Sequence, residues 1–380
     1  MRIESENAAL TYATINREPT KEIPTLWMNI MEHGVIDRLA EMPPGSYKAN
    51  PVETYMQMQR NIGACMLDQY IPTNPLSMEA TGYEGASKGS TTGAEKIYAD
   101  GMAIESPEDA VAHMEKHIIP GLIYAIENFD EAAVTKAVIE NETSIQEAIG
   151  PDILKAGYAH LGFPGLLYGL YGYEYYFSAY ALYPEVIDRV FVLQGDLAYL
   201  SNKAAVAAFI QADLPLYQRL DHDMADGKGV LVNPKTLERA WVPAFVKAIS
   251  PAAEAGFTLL WHCDGNLMEL IPYLLEAGVN GFQGFQYEFG MDYPYICGLK
   301  AKDGRGMVIE AGVSVTCELP LGTPADVKRQ LKDLVEYGPK TGLFLGMSSS
   351  CVPGTPYENI ETAVEGMKYY RKYGRGSASR

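Results

Sequence analysis

From residue 106 onward the chain switches between two rhythms of apolar side chains. Ser106-Pro107-Glu108-Asp109 supplies a cap, a proline for the first turn and acids for the positive helix end, which predicts a helix to about Asn128. A second helix starts near Pro184-Glu185 and runs through VIDRVFVLQGDLAYLSNKAAVAAFIQ, where apolar residues recur at three and four. Short apolar runs then take over. LPLYQRL (214–220), FTLLWHC (257–263), FQGFQ (282–286), MVIEAGV (307–313) and GLFLGM (342–347) read as strands. Helical stretches fill the intervals, among them NLMELIPYLLEAG (266–278) and TPADVKRQLKDLVEYG (323–338), the latter with Thr323 as cap, Pro324 in the first turn and Gly338 as stop. A last helix starts near Pro356-Tyr357-Glu358.

The last four strand runs begin 25 to 35 residues apart, the pitch of strand-plus-helix units. In a chain of this length that predicts a (β/α)8 TIM barrel rather than an open sheet. Residues 43–100, rich in Gly, Pro, Thr and Ser, read as the longest irregular part. They belong to an N-terminal helical or irregular cover (1–100) of a single barrel domain spanning 1–374, with 375–380 as a flexible tail.

Composition narrows the class. Of 380 residues 47% are apolar and 21% charged, which excludes a disordered or collagen-like chain. Thirty Lys and Arg against 48 Asp and Glu give a formal charge of −18, so the surface field repels phosphate backbones and anionic lipids; neither nucleic acid nor a membrane surface is expected as a partner. The first 30 residues carry scattered charges and no continuous apolar core, which predicts a cytoplasmic protein. Residues 161–183 hold one charge, Glu174, but Gly, Pro, Ser and seven Tyr stand where a membrane span needs Leu, Ile and Val, so this reads as a buried, ligand-facing segment. The five cysteines are sparse and odd in number, and reduced thiols are expected.

In a barrel the chemistry sits just after each strand. His262 and Asp264, two apart in extended backbone, point the same way. Glu288 follows the next run, Ser314, Thr316 and Cys317 the third, and Ser348-Ser349-Ser350-Cys351 the fourth, while Asp221-His222-Asp223-Met224 follows LPLYQRL. Imidazole, carboxylate and thiolate at one mouth would suit zinc. By spacing alone they also read as a hydrogen-bonded core histidine, a surface carboxylate and a small buried thiol. His113 and His117, four apart on a predicted helix, could mimic a metal pair and are read as a surface stripe.

Three segments, LLWHCDGNLMELIPYLLEAGVNGFQGFQYEFGMD (259–292), DHDMADGKGVLVNPKTLERAWVPAF (221–245) and SSSCVPGTPYENI (348–360), resemble the uroporphyrinogen decarboxylase superfamily, and NREPTKEIP (16–24) and LPLGTPADVK (319–328) fit its recurrent stretches. The resemblance covers almost the whole chain and implies a single (β/α)8 barrel. The decarboxylase itself uses early arginines and an aspartate in a Phe-Ser-Asp context. Here IPTLWMNIMEHGVID (23–37) holds no Arg or Lys, and the later stretch reads CMLDQYIPTN. The corrinoid-dependent methyltransferase branch, similar in its His-x-Cys and later Cys zinc ligands, fits better and places His262 and Cys351 on the metal. Its middle ligand falls on Asp264, with Cys263 one residue early as the other reading. Glu288 is either a further ligand or a hydrogen-bond partner of His262. Gly265 and Asn266 are candidate cofactor-binding residues.

A donor set richer in oxygen makes a harder Lewis acid, suited to a methyl ether more than to a thiol. The resemblance therefore implies demethylation of a methyl ether, foremost a methoxylated aromatic, with the methyl passing to the Co(I) corrinoid of a partner protein, since no corrinoid-binding motif of its own is evident. Asp223 or His222 would deliver the proton, or belong to a solvated acidic loop. Tyr173, Tyr176, Met28 and Met31 are candidate pocket residues, alongside Tyr168, Tyr171, Tyr175 and Met66; the same residues also suit core packing. The other half-reaction, methylcorrinoid to a thiol, a decarboxylase, and an inert docking barrel are the alternatives. A homodimer is left open.

Overall fold

The computed structural model describes residues 5–73 and 96–377. At its centre is a parallel sheet of six strands that neighbour one another in chain order: Gly157–Tyr158, Tyr217–Asp221, Thr258–His262, Gly281–Gln283, Val308–Val313 and Leu343–Met347. Parallel neighbours require a crossover between them. Pro184–Gln211, Trp241–Glu254, Ile271–Ala277 and Pro324–Tyr337 are helices in those crossovers. Strands covered on both faces need mostly apolar residues, as Leu343–Met347 has throughout and Thr258–His262 has between its polar ends. The helix Pro324–Tyr337 starts on a capping box between Thr323 and Asp326 and turns Val327, Leu331, Leu334 and Val335 inward.

Against the expected eight strands, regular structure gives a half-barrel of six within a mixed α/β fold. Beyond its edges the parallel contacts are short: Met66–Leu67 pairs with Leu154–Lys155, and single bridges join Thr25 to Leu345 and Leu26 to Met66. An apolar cluster nevertheless draws on all these segments, taking Leu26, Met66, Leu154, Tyr217, Leu260, Val308 and Phe344, closed by Ala8 and Ile15 of the helix Glu6–Ile15.

The N-terminal expectations need correction. Within 43–100, Ser46–Ala49 and Pro51–Asn61 are helical, the latter opening on Pro51 in its first turn. Ile97–Ala99 and Met102–Ile104 form an antiparallel hairpin. Residues 74–95 of the cover and 378–380 of the tail lie outside the described residues. The helix that starts at Pro107 is not regular to Asn128: it widens into a π turn over Met114–Ile118, where Ile119 N–H donates to Met114 O, and continues as Ile119–Glu127. His113 is not on a surface stripe but fully buried. Glu131–Ile149 adds a further helix. Among the described residues no helix is long and apolar enough to cross a membrane; residues 161–183 contain the short helices Tyr168–Tyr171 and Tyr173–Leu182, broken at Gly172.

Candidate metal centre

Strand register builds the site. Asp221 ends its strand opposite His262 of the neighbouring one, and in extended backbone Asp223 and Asp264 continue the same faces two residues on. The Asp264 N–H donates to Asp223 Oδ1 at 2.9 Å, which ties the two loops together. One ligand atom from each of Asp223, His262 and Asp264 lies within 4.8 Å of the other two. His262 is buried, Asp264 half-buried and Asp223 exposed.

Two buried atoms here have no hydrogen-bond partner: His262 Nδ1 and Asp264 Oδ1. Such a group costs about 1–3 kcal/mol unless something else satisfies it. Gly284, at φ +87°, adds room, because a Cβ there would stand 2.8 Å from His262 Nδ1. One imidazole and two carboxylates match the nitrogen and oxygen donors zinc accepts, and the unpartnered atoms sit on two of those three groups. The residues present therefore fit such an ion.

Charge around the cluster is ordered from below. Arg219 pairs with Asp68 (3.1 Å) and Asp221 (2.9 Å), and the Tyr158 hydroxyl donates to Asp221. Burial opposes ionisation of Asp221, but His262 and Arg219 outweigh it and hold its carboxyl below the usual range. Its Oδ1 stands 4.0 Å from His262 Nε2. Burial raises the Asp264 carboxyl against the pull of His262, with Asp223 and Asp221 adding to the rise. A cavity of about 200 Å³ opens beside the ring, walled by Trp27, Asn29, Gln69, Arg219, Asp221, Gln283, Ser349 and Ser350 together with Leu26 and Met347.

The structure does not gather every residue singled out from the sequence. Cys351 lies outside the close group: it bridges to Ile30, its N–H donates to Asn29 O at 2.8 Å, and burial pushes its thiol up to about 11. Glu288, on the turn Tyr287–Phe289, also lies outside it and accepts a short hydrogen bond from the Thr316 hydroxyl. Cys263 alternates away from His262, so that Met224 N–H donates to its Sγ at 3.3 Å and burial raises the thiol. Gly265 and Asn266 spend their polar groups on the loop: Gly265 N–H donates to Gln286 Oε1 (2.7 Å), and Asn266 donates from its backbone to Asp226 O and from its side chain to Phe289 O (both 2.8 Å).

His222 accepts the Leu166 N–H on Nε2 at 2.9 Å and stacks on Tyr168. Burial, opposed by Asp223 and Asp221, lowers its pKa. Of the proposed pocket residues, Tyr173 is exposed, Tyr176 is buried parallel to Tyr171, and Met28 and Met31 are core, Met28 with both backbone groups tied to Gln59. None of the four lines the cavity. Arg219 was missed, although Tyr217, Arg219 and Asp221 alternate onto one face, the period-two signal that marks an inward charge.

A scan against protein-family models finds no match, and a search of curated proteins finds none. Among solved structures, a methyltransferase from Methanosarcina mazei matches at a TM-score of 0.55 and 16% identity, over 97% of this chain and 99% of that one. A protein from Listeria monocytogenes described as a vitamin-B12 independent methionine synthase matches 61% of this chain and 68% of its own, at a TM-score of 0.38 and 17% identity. The first shares its overall fold with this chain from end to end. The second is too distant to bear on it.

Proposed function

We propose that this chain is a corrinoid-dependent methyltransferase that takes the methyl group of a small methyl ether and passes it to the Co(I) corrinoid of a partner protein. The observation that carries this is the Asp223, His262, Asp264 cluster with its two unpartnered atoms, set at the strand ends of a fold shared with the Methanosarcina protein, with His262 lining the adjoining cavity. In this reading the short parallel contacts close the six strands into a (β/α)8 ring, and residues 1–374 are one domain.

Zinc held by His262, Asp264 and Asp223 would supply a Lewis acid that withdraws charge from a departing oxygen. The chain's own residues prepare the rest. Asp221, kept ionised beside Arg219, stands 4.0 Å from His262 Nε2, and the Ser349 hydroxyl leans on Asp264 Oδ2 at 3.5 Å. Asn29, Gln69 and Arg219 offer donors to polar substituents, and Trp27 offers one aromatic wall. These walls suit a single hydroxylated methoxy ring, or a smaller ether, over a large apolar arene. The methyl carbon leaves its oxygen without the bonding pair and takes the pair of the incoming cobalt(I) co-substrate. The oxygen keeps its pair and gains one proton from water at the exposed rim, where Asp223 lies.

The carboxylate-rich donor set favours the ether half-reaction over methylation of a thiol. The test is anoxic incubation of zinc-loaded protein with cob(I)alamin and a panel of methyl ethers, following conversion of the Co(I) absorbance to methyl-Co(III). Donor-dependent conversion by wild type and none by His262→Ala is the expected result. Turnover only with methylcobalamin and a thiol, or none in either direction, would overturn the reading.

A further inference from the structure

A second histidine and carboxylate group lies away from the mouth. The hairpin Ile97–Ala99 to Met102–Ile104 turns through Asp100 and Gly101, both at positive φ (+47° and +77°), as a type I′ turn requires. The turn holds Asp100 Oδ2 at 3.1 Å from His113 Nε2. His113 is 0% exposed, and its Nδ1 lies 2.9 Å from the Tyr171 hydroxyl. On the π turn Met114–Ile118 the His117 ring stacks on that of His113, centroids 4.8 Å apart and 23° from parallel.

We propose that Asp100, His113 and His117 form a second divalent-metal site, of the nitrogen and oxygen type that takes zinc. One ligand atom from each lies within 4.8 Å of the other two. Two ligands on a tetrahedral zinc stand about 3.3 Å apart, close to the 3.1 Å between Asp100 and His113. A metal-binding histidine is normally steadied through its other ring nitrogen, and Tyr171 occupies that position on His113. The Asp100 side chain is 65% exposed and His117 half-buried, which gives an ion its route in and leaves room for water as the fourth ligand. π turns inside helices concentrate at functional positions. The site would clip the hairpin onto the helical segment that carries His113 and His117; Tyr171 holds the His113 ring, and the neighbouring Tyr168 hydroxyl donates to Asp223 O at 2.8 Å, so the clip would brace one wall of the mouth.

The test uses the full chain, stripped of metal, reloaded with Zn²⁺ and freed of excess, with zinc per chain and thermal midpoint read together. His262→Ala isolates the second site. Expected are two zinc ions in wild type and one in each of His262→Ala, His117→Ala and Asp100→Asn, with added Zn²⁺ raising the midpoint of His262→Ala and leaving that of His262→Ala/His117→Ala unmoved. One ion in wild type that His117→Ala loses and His262→Ala keeps would support this site while contradicting the one at the mouth. A His262→Ala protein that binds no zinc and shows no zinc-dependent shift would overturn the proposal, whatever the wild type holds.

Discussion

The two histidine clusters are made of similar side chains on opposite kinds of support. At the mouth, His262 ends a buried strand, and its Nδ1 and Asp264 Oδ1 have no partner. In the outer cluster both ring nitrogens of His113 are engaged, by Tyr171 and Asp100, on a hairpin and a π turn. Unsatisfied atoms held rigidly beside a cavity are arranged for something that comes from outside the chain. Satisfied ones bridging two local elements already hold those elements together, and an ion there would tighten the same link. The proposed chemistry therefore belongs to the mouth and the proposed bracing to the hairpin.

The contrast breaks first at His262. Its replacement by Ala should abolish zinc at the mouth and lower methyl transfer about a thousand-fold, the several kcal/mol expected of a Lewis acid; His117→Ala should leave turnover with saturating donor within a few-fold. Comparable losses in both variants would erase the distinction.

Next comes the floor beneath the mouth, where Glu310 is 1% exposed and accepts the Tyr217 hydroxyl at 2.5 Å. Burial, with Asp68 adding and Arg219 opposing, raises its carboxyl to about 8. A raised acid holds its proton in the folded chain after the unfolded chain has lost it, so stability should fall as pH rises from about 4.5 toward 8, by several kcal/mol. Chemical denaturation of wild type and Glu310→Gln across that range should show the slope in the first and its reduction in the second. Equal slopes would place the pH dependence elsewhere.

A smaller effect is expected at Gly284. Ala there meets the His262 ring and a positive φ together, and should weaken zinc binding about tenfold at a stability cost of about 1–3 kcal/mol; isothermal titration separates the two. The smallest belongs to Cys351→Ser, which should keep zinc stoichiometry while costing about 1–2 kcal/mol for a buried thiol made polar. Loss of zinc in that variant would return Cys351 to the ligand set.

Much of the scaffold was legible because its signals are local. FTLLWHC, MVIEAGV and GLFLGM became strands because each is a short, mostly apolar run, and the Thr323 cap and Asp326 fixed where the helix Pro324–Tyr337 begins. Gly157–Tyr158, Leu154–Lys155 and Met66–Leu67 escaped notice, since two residues carry no period. The site was legible in part. The alternation of His262 and Asp264 was readable, whereas Asp223 as their neighbour depends on the register of Asp221 with His262, a long-range pairing no single segment encodes. The tyrosines of 168–176 suggested a pocket by composition; the chain spends Tyr171 and Tyr176 on packing and leaves the cavity to Asn29, Gln69 and Arg219.

The central claim is that an ion binds at the mouth on His262 and Asp264. An anomalous difference map at the zinc edge, from crystals of zinc-loaded protein, tests it most directly. A peak at about 2.0–2.2 Å from a ring nitrogen of His262 and from a carboxylate oxygen of Asp264 is the predicted result. A mouth without a peak, or a peak on Cys351 that leaves Asp264 free, would contradict it.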